Sequence, residues 1–445
     1  MKKLVLIVCF FVTIDSIFAQ TISLEQVRLL ALANSRSLAK VNLSLRSSAL
    51  DEKAHLFTML PCVSAAYSAS MDYLNKDWDF INPVDTFRAG LNIEITQTIF
   101  NGGRSLIQKS INEIATESLR KEAMAEYFNT LDTADNAYFE VLKAAATLEA
   151  EESSLQTALS SLAIAEIRQS SGMINPGDYL KALSDRETRE NSRNQARRTL
   201  SLNMMKLRSI TGLTELPTLE AIDISGYEDL ILYLGNISDE DADALHDRFW
   251  NIFTASNPAL ARSALSRQRA EKNLSIARRD YVPVIRASVF TTGIEYTAAK
   301  GFGTSSGGGV TLRGSIPLDF WVMSNRVEKS KIALQSASLD YMGAEIQLET
   351  DLQSALIRIF DQSGYLLSSR RSLEYAEKQF EYVVERYRLL QSSISDLTEA
   401  STSLINSRNR HIEAQYGFLQ SLSKLRSLGA IDDEERLVRI LIGNL

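Results

Sequence analysis

The feature that most constrains this chain is that it is written twice. Leu207-Arg208-Ser209-Ile210 returns as Leu425-Arg426-Ser427-Leu428, 218 residues later, with Gly212 and Gly429 close behind the two copies. The same offset takes Arg168 to Arg386 and Asp178 to Asp396. Nearer the start of each half the offset is 222, pairing Leu60-Pro61 with Val282-Pro283 and Ser37-Leu38-Ala39 with Ala259-Leu260-Ala261. Two copies of about 200 residues are far larger than solenoid repeats, so one large unit has been duplicated.

Each half reads as helix, strand, loop, strand, long helix, turn, helix. A first helix from about Leu24 to Met59 is expected to stop near Pro61, because proline cannot continue it. Val63, Ala65, Tyr67, Ala69, Met71 and Tyr73 then alternate with smaller or polar residues, the period of a strand with one apolar face. After a loop around Asp77-Trp78-Asp79, Leu91, Ile93, Ile95 and Ile99 alternate with Asn92, Glu94, Thr96 and Thr98. In the second half Val284–Glu295 and Val310–Ile316 take the strand places, and the Gly/Ser-rich stretch Gly301–Gly309 reads as a flexible outer loop.

From Arg104 to about Ser170 there is neither proline nor glycine, so one helix of roughly 100 Å is expected. Ala134, Val141, Leu148, Leu155 and Leu162 recur every seven residues, with Leu131, Tyr138, Ala145 and Leu159 as a companion seam that Glu152 interrupts. The second half repeats the first set as Leu352, Ile359, Leu366, Leu373 and Phe380. A shared heptad register is the pattern of coiled-coil packing. Each rod ends in a turn, Gly172–Gly177 and then Leu390–Ser395, with Asp178 and either Ser395 or Asp396 expected to cap the returning helices. Those helices read as about half the length of the outgoing ones.

Lys2 and Lys3, the apolar run Leu4–Val12 and Ala19 before Gln20 form the pattern of a cleaved secretory signal. Its removal leaves Cys62 as the only thiol, so no disulfide can form within one chain. A net charge of −7 without a basic cluster argues against a nucleic-acid partner. No other stretch is long and apolar enough for a spanning helix, which leaves strands as the route across a membrane. His55, His246 and His411 have no metal-ligand spacing to one another or to Cys62. Asn101-Gly102-Gly103-Arg104 lacks the remaining residues of a phosphate-binding loop. No cofactor, metal site or catalytic constellation is therefore expected.

Four strands cannot close a barrel, since the smallest have about eight. Their edges would be unsatisfied in lipid. Closure needs two or three copies, and because a barrel of about eight strands is filled by its own side chains, a conducting pore favours three. Tyr67, Tyr73, Trp78, Phe80, Phe87, Phe100, Tyr296, Phe302 and Trp321 lie in or near the strands, as in an aromatic membrane belt. The alternative is a periplasmic coiled-coil structural or adaptor protein whose strands form a small soluble sheet.

Leu60-Pro61, Gln97-Thr98-Ile99-Phe100-Asn101-Gly102-Gly103-Arg104, Ala137-Tyr138-Phe139 and Leu207-Arg208-Ser209-Ile210-Thr211-Gly212, in that order, resemble the TolC-like outer-membrane efflux family. Ser315-Ile316-Pro317-Leu318 to Arg326 repeats the strand-to-helix step. The resemblance implies a mainly α fold with a small transmembrane β part. It also implies a homotrimer with a twelve-strand barrel in outer-membrane lipid, continuous with a helical periplasmic tunnel. The exit duct so formed, of a tripartite efflux or type I secretion system, would meet a periplasmic adaptor protein and an inner-membrane transporter. The chain would divide into a signal (1–19), a first repeat (20–212), an equatorial segment (213–251), a second repeat (252–430) and an equatorial tail (431–445). The family's acidic selectivity ring falls on Asp396 and Glu399, and its tip latch on Asp178, Tyr387 and Ser392. Ser392 stands where the family has an Arg, Leu390 where a Gly is usual, and Ser324-Asn325 where the first half has Gly102-Gly103.

Overall fold

A computed structural model describes residues 21–72, 86–297, 301–389 and 391–443. The expected signal, Tyr73, Trp78, Phe80 and Leu390 lie outside the described residues. The described chain divides into two compact units, one within 1–38, 125–257 and 349–445, the other within 39–124 and 258–348.

The opening helix is not continuous. It breaks into α1 (Leu24–Asn34) and α2 (Arg36–Phe57) at Ser35, whose ψ of 109 is extended. The Ser35 hydroxyl accepts from the Leu38 amide at 3.2 Å and so restarts the helix. The second half breaks at the matching place. After α3 (Arg104–Ser170), α4 (Pro176–Thr211) and α5 (Glu228–Gly235), Asn257 (ψ 120) separates α6 (Asp239–Ser256) from α7 (Pro258–Arg278). Pro258 sits at the first helical position, where its missing N–H costs nothing. In the first unit, Asn34 donates to the Ile210 carbonyl at 3.1 Å and Asn257 to that of Leu428 at 2.9 Å. Each break thus ties an opening helix to the end of a returning one.

The long helices are α3 and α8 (Phe320–Arg388). The returning helices α4 and α9 (Ile394–Gly429) have 36 residues each against 67 and 69. Ala134, Val141 and Leu162, with Leu352, Ile359 and Leu366, are buried on the expected seam. The companion seam slips. Leu131 and Tyr138 are buried, but Ala144, Glu151, Ala158 and Ala165 then take over, leaving Ala145, Glu152 and Leu159 exposed. The new stripe keeps the seven-residue spacing but lies one position earlier, and three of its four members are alanines.

In the first unit Phe249 and Phe253 of α6 are fully buried and edge to face at 5.4 Å, and Arg248 of the same helix donates to the Ile440 carbonyl of α10 (Glu434–Ile442) at 3.0 Å. A side chain at Gly429 would start 2.2 Å from the Phe253 ring, so that glycine makes room for an aromatic. The left-handed cap falls one residue later, at Ala430 (φ 51), where the first half uses Gly212 (φ 74). Ala430→Gly is expected to stabilise the protein by about 0.5–1 kcal/mol, because alanine resists this conformation. An unchanged or lower thermal midpoint would contradict it.

An ion cluster lies in the same unit. Asp135, wholly buried, accepts from Arg28 at 2.7 and 3.0 Å, from Arg426 at 2.9 Å and from Ser423 at 2.8 Å. Glu434 lies 3.4 Å from Arg28 and accepts from the Tyr227 hydroxyl at 2.6 Å. Burial works against the Arg28 charge, but the bonds and charge of Asp135 outweigh it and raise its pKa further. Tyr138 donates to the Glu220 carbonyl at 2.6 Å, and burial pushes its hydroxyl up to about 12.

The second unit carries an antiparallel meander, β1 (Cys62–Asp72), β2 (Thr86–Phe100), β3 (Val284–Thr297) and β4 (Gly301–Ser315), in that spatial order. Gly301–Gly309 is therefore not a loop: it is the first part of β4, paired with β3. Loop propensity misled because the last two glycines serve a neighbour. A side chain at Gly309 would begin 2.8 Å from the Phe290 ring on β3, an aromatic covering an edge glycine.

Candidate functional site

The register builds a wall with two unlike faces. Val63 pairs with Ile95, Ile95 with Val289 and Val289 with Val310, so one aliphatic row crosses all four strands. Paired residues in antiparallel strands share a face. These four are 67, 42, 52 and 77% exposed. The adjacent row, Cys62, Thr96, Ser288 and Thr311, is polar and points to the other face. Strands β1 and β4 are the edges, and neither has an outer partner among the described residues. Tyr67, Phe100 and Trp321 are exposed. No described helix is long and apolar enough to cross a membrane.

Where strands become rods, both halves lean on one carboxylate. Arg104 meets Asp280 at 3.0 Å and donates to the Val282 carbonyl at 3.0 Å, while Arg326 reaches the other Asp280 oxygen at 2.6 Å. The repeat shows that the arginines correspond, but not that they share an acid, since Thr58 stands where a second Asp280 would be. Gly102 (φ 68) and Gly103 (φ 76) make the first turn, and a side chain at Gly102 would press on Val282 at 3.0 Å. Ser324 and Asn325 need no such freedom, because α8 has already begun at Phe320.

At the turns the caps differ from those expected. Asn175, not Asp178, caps α4: its oxygen accepts from the Asp178 amide at 2.9 Å, and Pro176 holds the first position. Ser393, not Ser395 or Asp396, caps α9. Ser393 accepts from the Asp396 amide at 3.1 Å, and Asp396 accepts from the Ser393 amide at 2.9 Å. Asn-Pro and Ser-x-x-Asp were the available signals. Asp396 and Glu399 are exposed on one face of α9, while Ile394, Leu397 and Ala400 are buried on another. The cap bonds from Ser393 hold the Asp396 carboxyl below its ordinary value.

Tyr387 is buried with Leu162, Ala165, Ala182, Ile394 and Leu397. Its hydroxyl has no hydrogen-bond partner among the described residues. The Asp178 carboxylate instead accepts from the Asn175 side chain at 2.9 Å. Burial pushes the Tyr387 hydroxyl up, Arg168 opposes that, and the Asp178 charge adds to it. Ser392 donates to the Val383 carbonyl at 3.4 Å. Alongside, Glu399, Ser403, Asn406 and Arg410 line a groove with Lys181 and Asp185 of α4, and Lys181 bridges it to Ser395 at 2.8 Å.

A family model described as outer membrane efflux protein matches residues 28–213 and 251–430. The sequence is 22% identical over 373 residues to outer membrane protein TolC of Escherichia coli (strain K12), covering 80% of this chain and 72% of that protein. Among solved structures, the Campylobacter jejuni CmeC outer membrane channel matches with a TM-score of 0.77 at 15% identity, over 95% of this chain and 89% of that one. The outer membrane protein VceC of Vibrio cholerae matches with a TM-score of 0.74 at 16% identity, over 91% and 96%.

Proposed function

The chain belongs to the outer membrane efflux protein family, and from that premise we propose that three copies close one barrel of twelve strands around the exit path. The protein is an outer-membrane channel of an efflux system with a helical extension in the periplasm, and it is not an enzyme. One observation carries the three-copy reading: an exposed aliphatic row crosses a sheet whose two edges are open. Hydrocarbon would cover the row, but it tolerates no unpaired backbone edge. Two copies would give a barrel of about eight strands, filled by its own side chains; three leave a lumen.

The rods offer a second support. Leu43, Leu50 and Phe57 on α2, and Ile332, Leu339 and Ile346 on α8, are exposed at heptad spacing. Such stripes suit helices of a neighbouring copy. In the periplasmic-adaptor alternative, these stripes and the strand row would face water.

The remaining assignments follow from the same reading. Residues 213–251 and 431–445 form the equatorial belt between the repeats 20–212 and 252–430. The turns engage a periplasmic adaptor, which couples the duct to an inner-membrane transporter. Asp396 and Glu399 of three copies place six carboxylates around the constriction, and Asp178, Tyr387 and Ser392 mark the latch that narrows it.

Cys62 at the start of edge strand β1 supplies the test. Single cysteines placed in turn from Gly307 to Ser315 on β4 should, at one or two positions, oxidise with Cys62 of the next copy. The membrane fraction would then yield a covalent trimer. Recovery only as an uncrosslinked monomer, with the strands still folded, would sink the proposal.

A further inference from the structure

We infer that Arg168, on the first long helix, is the brace that holds the second tip turn in place, acting through the ring face and main-chain carbonyl of Tyr387. The inference rests on the reading of these turns as the closable end of the duct. The Arg168 guanidinium lies over the Tyr387 ring, 4.2 Å from its centre, and donates to the Tyr387 carbonyl at 2.7 Å. That carbonyl is in the last turn of α8, where helical carbonyls lack an intrahelical donor. A cation there also meets the negative end of the helix dipole.

Three side chains secure this end, each on a different carbonyl. Arg168 takes Tyr387, Arg386 takes Gln391 at 2.8 Å, and Ser392 takes Val383 at 3.4 Å. Arg386 is the repeat counterpart of Arg168, yet its hydrogen bond stays within its own turn. Arg168 alone among the three comes from another helix, so it alone resists separation of α8 from α3. Tyr387 lies six residues before Ser393, the cap of α9, and the same cap fixes Asp396. Fixing Tyr387 therefore positions the start of the helix that carries both acidic residues. A guanidinium on the ring also supplies, from α3, the cation absent at Ser392.

A hydroxyl latch and a ring-face brace predict different variants. In full-length protein reconstituted in planar bilayers, Arg168→Gln should raise the basal open population about tenfold, the effect of losing one cation–π contact with one charge-assisted hydrogen bond. Arg168→Lys should fall between, keeping the charge but not the planar stack. Tyr387→Phe keeps the ring face and the main-chain carbonyl, so it should open the pore far less than Tyr387→Leu. Tyr387→Leu should match Arg168→Gln, and the double variant should be no more open than either single one, since both remove the same contact. Thermal midpoints read alongside separate loosening of the tip from loss of fold.

A Tyr387→Phe pore as open as Tyr387→Leu, an additive double variant, or an Arg168→Gln pore as tight as the parent overturns the brace and leaves the duct standing. A parent chain that opens no pore under any applied voltage overturns the duct reading, and the brace with it.

Discussion

Replacing Asp396 by Asn and Glu399 by Gln together is expected to remove the cation preference of the assembled pore. Both residues are exposed on one face of α9, three positions apart, where helical side chains are neighbours. Three copies would gather six carboxylates, and a ring of fixed like charge selects counter-ions through the field it maintains in a narrow passage. The cation-to-anion permeability ratio should fall roughly tenfold or more toward unity. Reversal potentials in a salt gradient measure it directly, and an unchanged potential would remove both residues from the ring.

The two carboxylates are not equivalent. Asp396 belongs to a capping box whose bonds favour its charged form. Its folded pKa lies below the ordinary 3.8, so the stabilising effect of the cap is present above that value and is lost as pH falls through the folded one. In Glu399→Gln alone, a residual cation preference should be present at neutral pH and be lost on acidification, as Asp396 is protonated. Asp396→Asn also weakens the cap, so its reversal potential should be read beside its thermal midpoint.

Asp135→Ala is expected to cost about 3–5 kcal/mol of stability, the range for removing one partner of a buried charge cluster. The substitution leaves Arg28 and Arg426, whose side chains are 12 and 5% exposed, without their main acceptor. Glu434, at 3.4 Å from Arg28 and 3.8 Å from Arg426, is too far to replace four short bonds. The loss should appear as a lower denaturant midpoint of the detergent-extracted protein. Removing Arg28 as well should cost less than the sum of the two single losses, because the second change relieves an unpaired charge. A denaturant midpoint equal to that of the parent for Asp135→Ala would show that the cluster contributes little.

Much of this was legible along the chain. The 218-residue offset joined Arg168 to Arg386, the unbroken run after Arg104 gave α3 its full length, and alternation at Val63–Tyr67 and Leu91–Ile95 gave the strand faces. These are local periodicities, and a backbone with a period of 3.6 or 2 reproduces them whatever surrounds it. The failures were equally physical. Gly301–Gly309 looked like a loop from its composition, which does not show that Gly308 and Gly309 make room for Phe290 on another strand. The expected caps sat a few residues late: Asn175 accepts from the Asp178 amide and Ser393 from the Asp396 amide, so both aspartates lie inside the first turn of their helices. The companion seam moved one position earlier at Ala144, where Ala144, Glu151, Ala158 and Ala165 and not Ala145, Glu152 and Leu159 are buried.

What the sequence determined by itself was the unit and its duplication: two sets of strands and rods, and a sheet too narrow to close alone. Which residues share a burden was decided only in three dimensions. Asp280 receives both Arg104 and Arg326, Asp135 receives Arg28 and Arg426, and Tyr387 receives Arg168. Repeat arithmetic pairs residues by descent, whereas a buried charge or carbonyl must find whatever partner the packing brings near. That search runs across hundreds of residues, so its outcome is a property of the folded chain.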